Sequence, residues 1–312
     1  MSASPVLASL DVGTNSVLLT VARVDENEEI VLLDQRATVT RLGQGVDQSG
    51  ELHPDAQTRT LDCLRTYKQV MNEWGVERGA AVGTSALRDA RGGASFVDLA
   101  GQILGFPLEV ISGAREAELT FSGALLGLSV QERACVFDIG GGSTELIIGD
   151  AATGQIEAAI SLNVGSVRLT ERLALSDPPS AAQIEQLKAA ISEQLAQFDL
   201  SRARQLTLVG VAGTVTTLSA ILMGMDSYDA ARVHGSVIEA QALYELSRRL
   251  LTMTVEQRLE LPGLTAGRAD VIGAGAALCS AIVAQVDAKQ LLVSDRGVRF
   301  GLLRDLNRSV SI

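Results

Sequence analysis

Residues 134–145 read ACVFDIGGGSTE: a short apolar run, Asp138, three glycines, Ser143, Thr144 and Glu145. The apolar character resumes at Leu146-Ile147-Ile148, so the stretch has the form strand, tight turn, strand. The same order occurs earlier in the chain. An apolar run from Val6 to Leu10 ends in Asp11, the small residues Gly13, Thr14, Asn15 and Ser16 follow, and a second apolar run extends from Val17 to Val24. An internal echo of this kind predicts two related halves. Glycine in such a turn is expected to give the backbone positive φ and to bring bare N–H groups close to a ligand, held still by the flanking strands. Two phosphate cradles are therefore expected, one at Gly13, Thr14, Asn15 and Ser16 and one at Gly140, Gly141, Gly142, Ser143 and Thr144. For either copy alone, a hairpin turn without a ligand is the plainer reading. Repetition behind an aspartate favours the cradle.

A third candidate follows the apolar stretch Leu206 to Ala212, read as a strand, where Gly213 and Thr214 open a helix whose first N–H groups favour an anion. Glycine and threonine also punctuate strand-to-helix corners that bind nothing. Strands at LEVI (108–111) and LLVS (291–294), alternating with helices, indicate an α/β fold. Ile184, Leu187, Ile191, Leu195 and Phe198 recur every three or four residues after Pro178-Pro179-Ser180, which predicts a scaffold helix with one apolar face. The uncharged run Val271 to Val286 contains Gly273 and Gly275 and is too short to span a bilayer, so it reads as a buried core helix.

With 312 residues and 46% hydrophobic content the chain can bury more than one core, and two domains are expected. They are placed at 1–123 and 124–298, with 299–312 packing back on the first. The start of the chain has no basic stretch and its apolar run breaks at Asp11, so no export signal is expected. Cys63, Cys135 and Cys279 are far apart, with only His53 and His234 to join them, which argues against a zinc or disulfide framework and for a reducing cytoplasm. A net charge of −11 argues against nucleic acid and anionic membrane as partners. An anionic substrate must then be captured by local donors and metal.

Phosphoanhydride hydrolysis needs charge neutralisation, a positioned water and a group to take its proton. Asp138 and Glu145 bracket the second turn and Asp11 occupies the matching corner of the first, so these carboxylates are candidates to hold a partly hydrated magnesium ion. Capping of the turn by the aspartates is the alternative. Arg88, after the apolar Ala80-Ala81-Val82, offers a planar fork for a phosphate, or else is a surface residue on a helix. Glu116 falls in the first turn of a helix expected from Arg115 to about Leu126, where an acidic residue ordinarily offsets the helix dipole. Spacing does not choose between Glu116 and Glu118. His234 has no partner motif and reads as structural.

Taken together, LDVGTNS (10–16), GTSALRD (83–89), VISGAREA (110–117), VFDIGGGSTEL (136–146), VAGTVTTL (211–218), LPGLTAGRADVI (261–272) and SDRGVRFGLL (294–303) resemble the exopolyphosphatase and guanosine pentaphosphate phosphohydrolase family. The resemblance runs nearly end to end. It implies two related actin-like, ribonuclease H-like α/β domains with a phosphate-binding cleft between them. It also implies Glu116 as catalytic base, Arg88 on phosphate, and the acidic residues of the 138–145 loop serving magnesium and water, with a monovalent cation such as K+ as a further activator. Two positions depart from the family pattern: Arg115 stands where a second acidic residue is common, and Phe300 where glutamate is common. Phe300 lies outside the phosphate loops, so its effect is expected on packing or assembly. Longer members carry helical C-terminal domains, and this chain reads as the short two-domain form, with a homodimer expected.

The implied activity is removal of terminal phosphoryl groups from polyphosphate, with short chains preferred. Hydrolysis of guanosine pentaphosphate is the second enzymatic reading, although 3% aromatic content leaves few groups to stack a base. A nucleotide-binding sensor without turnover and a sugar kinase complete the alternatives; no acceptor-activating aspartate is evident for the last.

Overall fold

The computed structural model describes residues 4–25, 29–130 and 132–308, so the expected domain ends at 1–3 and 309–312 lie outside the described residues. The chain forms two compact units, Met1–Gly123 joined by Val298–Ile312, and Ala124–Gly297.

The first unit is built on a five-stranded sheet of β1 (Val6–Val12), β2 (Ser16–Val24), β3 (Ile30–Val39), β4 (Arg78–Gly83) and β5 (Leu108–Val110), in the order β3-β2-β1-β4-β5. β1 and β2 form an antiparallel hairpin, whereas β4 and β5 join in parallel. β1 is covered on both sides and is therefore apolar along almost its whole length, as a central strand should be. Edge strand β3 instead carries the Asp34–Arg36 ion pair, a charge pattern that discourages further strand pairing. The Pro54–Glu73 helix begins with proline in its first turn and a His53 cap, and buries Leu64, Tyr67, Val70 and Met71 in the core that also holds Leu10, Leu19 and Phe96.

The second unit repeats the plan with β6 (Arg133–Ile139), β7 (Thr144–Asp150), β8 (Ile156–Leu162), β9 (Thr207–Val211), β10 (Val237–Glu239) and β11 (Gln290–Val293), ordered β10-β11-β9-β6-β7-β8. Strands β8-β7-β6-β9-β11 match β3-β2-β1-β4-β5 one for one, and β10 is an added antiparallel edge. The register makes the repeat explicit. Asp11 stands beside Val82 of the parallel strand and Leu18 of the hairpin partner; Asp138 stands beside Val211 and Glu145. Both units thus have the same mixed α/β plan.

The helix at Ala181–Leu195 opens on a Ser180–Gln183 capping box and buries Leu187, Ile191 and Leu195, with Ile184 and Phe198 partly buried at its flanks. Ile272–Val286 is a core helix of the second unit, and Gly275 lets it approach Thr214, where a Cβ would come within 2.7 Å of the threonine methyl. Among the described residues no helix is long and apolar enough to cross a membrane.

Candidate active site

The two Gly-rich turns are built alike. Gly13 N–H donates to the Ser16 carbonyl at 3.0 Å, and Gly140 N–H donates to the Ser143 carbonyl at 3.1 Å. These two N–H groups close the turns and are not bare, and neither glycine adopts positive φ, contrary to the expectation from sequence. The turns are tight at both glycines: a Cβ at Gly13 would sit 3.1 Å from the Ser16 carbonyl oxygen, and one at Gly140 would sit 3.2 Å from that of Ser143, so a side chain at either would require the turn to open slightly.

In the first turn, the Thr14 carbonyl accepts from Gly43 and the Asn15 carbonyl from Thr40 and Arg41, so the turn is braced by the segment after β3. Thr14 presses its methyl against Gly43, where a Cβ would come within 2.2 Å. Ser16 is the first residue of β2. In the second turn, the carbonyls of Gly140 and Gly141 accept from the N–H groups of Ser166, Val167 and Arg168, and Arg168 Nε donates to the Gly142 carbonyl at 2.6 Å. Thr144 sends its hydroxyl to the Val164 carbonyl at 2.6 Å, so this donor serves the fold. Ser143 is buried.

Asp138 and Glu145 are direct partners across the β6–β7 hairpin, and both are buried. Ser161 Oγ donates to Glu145 at 2.6 Å. At the third corner the chain leaves β9 through Ala212, at a left-handed φ of 65°, and the Ala212–Leu222 helix follows. This corner is occupied by a side chain that sequence reading missed. A Cβ at Gly213 would lie 1.8 Å from Arg268 Nη1, so the glycine makes room for a guanidinium. Burial pulls that guanidinium below the ordinary arginine value, opposed by Tyr228 and Asp295. The anion-attracting element here is thus a cation as well as a helix start.

The second set of groups lies within the first unit. Arg88, on the Ser85–Asp89 helix after β4, donates from Nη1 to the Glu116 carboxylate at 2.5 Å and to the Ile111 carbonyl at 3.2 Å. Glu116, in the first turn of the Gly113–Ala124 helix, is only 6% exposed. Burial pushes its carboxyl above the usual carboxylate range, and the Arg88 guanidinium opposes the shift. Glu118 is on the exposed side of the same helix, paired with Arg115 at 3.0 Å. Arg115, which precedes Glu116, also pairs with Asp305, so the cation beside Glu116 is Arg88.

Asp11 is half-buried, but its Oδ1 is shielded from solvent and has no hydrogen-bond partner among the described residues. Its carboxyl is raised from 3.8 to about 7, first by desolvation and then by the negative charge of Glu116, against the pull of Arg299 and Arg88. Arg299 is the second residue missed from sequence. It lies in the Val298–Arg308 helix, far along the chain, and is 7% exposed. Its only sequence signal is its place in a motif beside Phe300. Phe300 is fully buried in the first unit, and the Arg299 guanidinium lies 5.4 Å from its ring centroid. His234 sits by the Ser294 hydroxyl, with Nδ1 at 3.3 Å from Oγ, a structural contact.

A carboxylate raised by burial and steadied by a guanidinium suits proton transfer, and the acidic pair facing across the second hairpin suits a hard cation. The chain's relatives are consistent with this chemistry. The model of the Ppx/GppA phosphatase family matches residues 20–309. Exopolyphosphatase 2 of Mycobacterium tuberculosis is 38% identical, over 96% of this chain and 98% of that protein. The crystal structure of an exopolyphosphatase-like protein, 35% identical, superposes with a TM-score of 0.92 over the whole of both chains. The Aquifex aeolicus member of the Ppx/GppA family is 30% identical and superposes with a TM-score of 0.81 over 99% of each chain. The chain belongs to the Ppx/GppA phosphatase family.

Proposed function

We propose that this phosphoanhydride hydrolase is an exopolyphosphatase that removes terminal phosphoryl groups from inorganic polyphosphate, with Glu116 as general base. The observation that carries the reading is the desolvated Glu116 carboxylate, 2.5 Å from Arg88, in a chain whose relatives include a named exopolyphosphatase. Water attacks the terminal phosphorus while Glu116 takes its proton. The bridging P–O bond breaks, and its electron pair leaves on the shortened polyphosphate. A base works best with a pKa near the working pH, and burial moves the Glu116 carboxyl upward in that direction. The described bonds of Arg88 leave from Nη1, so Nη2 and Nε are the donors assigned to a substrate oxygen.

A magnesium ion fits the donor set. In the second unit Asp138 and Glu145 face one another across a hairpin and offer only oxygen donors; in the first unit, taken by itself, the buried Oδ1 of Asp11 has no hydrogen-bond partner among the described residues. Among the described residues no group of three or more His, Cys, Asp or Glu is gathered for a metal, so the assignment rests on the Asp138–Glu145 pair, within the one or two carboxylates that magnesium commonly takes. When bound, magnesium would neutralise charge on the phosphate oxygens. Within each unit, the N–H groups of the Gly-rich turn other than the one that closes it are assigned to phosphate oxygens, as is the Gly213-Thr214 helix start of the second unit.

The test is a phosphate-release assay with tripolyphosphate, long polyphosphate and guanosine pentaphosphate, each with magnesium and with or without K+. Release from polyphosphate at the highest kcat/KM is expected. Release from guanosine pentaphosphate alone moves the substrate to the nucleotide, and binding without release makes the protein a sensor.

A further inference from the structure

We infer that the C-terminal Val298–Arg308 helix is a positioning element for the general base, acting through Gly301 on the turn of helix that follows Glu116 and through Asp305 on Arg115, which precedes it. The inference rests on the reading of Glu116 as base.

A backbone approach, an ion pair and a hydrogen bond join this helix to the Gly113–Ala124 helix, all within the first unit. The closest is backbone to backbone. A Cβ at Gly301 would lie 2.2 Å from the Leu119 carbonyl oxygen and 2.8 Å from its Cα, so no side chain fits between the two helices there. Leu119 stands one turn beyond Glu116, on the same side of the helix. The second contact is the ion pair between Asp305 and Arg115, the residue immediately before Glu116. The third is Arg304 Nη1 donating to the Ser122 carbonyl at 3.5 Å. The helix that carries the base is thus held at residues 115, 119 and 122, which brackets Glu116 on both sides.

The holding helix is itself immobilised by apolar burial. Val298 and Leu302 pack with Val82, Ile111 and Leu119, while Leu303 packs with Leu7 and Ala22 beneath the hairpin that ends at Asp11. Arg299, in its first turn, acts on Asp11 together with Arg88. One helix therefore sets the position of the base-bearing helix and the charge beside the neighbouring carboxylate.

A purely structural role and a positioning role predict different numbers. The Arg115 and Asp305 side chains are 42% and 38% exposed, and an ion pair at that exposure contributes little to stability. Misplacement of a catalytic group by about 1 Å, by contrast, can cost on the order of 10²-fold in rate.

The experiment uses the full chain and tripolyphosphate as substrate, with kcat, KM and Tm measured for D305R, R115D, the double swap R115D/D305R, G301A and E116Q. For D305R we expect kcat to fall about three- to tenfold with KM within about twofold and Tm within about 2 °C, and the double swap should recover most of that loss. G301A, if folded, should lose about tenfold or more in kcat. A folded D305R with the parent kcat, or a loss that the double swap leaves untouched, overturns the inference; if G301A does not fold, the charge-swap set decides alone. Normal turnover in E116Q removes the base reading itself, whereas an inactive E116Q beside an unaffected D305R removes only the role of the helix.

Discussion

Arg88 Nη1 donates at once to the Glu116 carboxylate at 2.5 Å and to the Ile111 carbonyl at 3.2 Å. One guanidinium thereby ties the Ser85–Asp89 helix to the chain between β5 and the helix that carries Glu116. The same cation that orients the carboxylate also keeps its pKa from rising as far as burial alone would take it. Removing either partner leaves a buried charge without its counter-ion, so the two residues should be tested together.

Glu116→Gln keeps the size and hydrogen-bonding oxygen of the side chain but removes its basicity. Turnover should fall by about 10²–10⁴, equal to ~3–5 kcal/mol of barrier, with KM little changed. Glu118→Gln, at an exposed site paired only with Arg115 among the described ion pairs, should stay near the parent rate. Steady-state phosphate release on both variants checks the assignment, and equal losses would contradict it.

Arg88→Lys retains the charge but presents a point ammonium where a planar fork stood. We expect it to lose nearly as much kcat/KM as Arg88→Ala. Recovery of the parent rate by lysine would show that charge alone is enough.

Asp138→Asn and Glu145→Gln each remove one negative oxygen from the hairpin pair. Both should raise the magnesium concentration needed for half-maximal rate, by about tenfold or more. Titration of magnesium at saturating tripolyphosphate measures this, and an unchanged midpoint in both variants would take the pair out of the metal site.

Asp11 gives a prediction that does not depend on turnover. Its carboxyl is raised from 3.8 to about 7 in the folded chain, chiefly by burial, so between these values the folded state holds a proton that the unfolded state has released. The stabilising contribution of the neutral form is full below about pH 4 and is lost as pH rises through about 7. Asp11→Asn keeps the neutral form at every pH. In chelator-treated protein, its Tm should therefore exceed the parent's by several degrees at pH 8 and by little at pH 4 to 5. Thermal melts at the two pH values check the sign, and an equal difference at both would rule out titration of Asp11.

Chain length follows from charge. With a net charge of −11, the segment of a long polyanion beyond the bound end meets repulsion that salt screens over about 8–10 Å. We expect higher kcat/KM per chain end on short polyphosphates than on chains of hundreds of units, and improving long-chain affinity as salt is added. Kinetics on both substrates at two ionic strengths check this. A long-chain preference that weakens with salt would point instead to a basic groove, of the kind a homodimer could share.

What the amino-acid order determined by itself is the repeated hairpin and its corners. Alternation of apolar runs and small residues depends on neighbours in sequence, so β1–β2 and β6–β7, with Asp11 and Asp138 in matching register, are readable without coordinates. The same holds for the helix after Ser180, whose cap and apolar period are both local. Tertiary structure decided the rest, because desolvation and close approach are set by residues far apart in the chain. Glu116 and Glu118 differ by two positions, about 200° around a helix, and only packing determines that one meets Arg88 while the other meets water. Arg299 reaches the neighbourhood of Asp11 from the opposite end of the chain, and Arg268 enters the corner at Gly213 from a separate segment. Even the turn glycines follow this division. Their positions were legible, but their geometry, a tight approach to the turn's own carbonyl rather than positive φ, depends on how each turn closes.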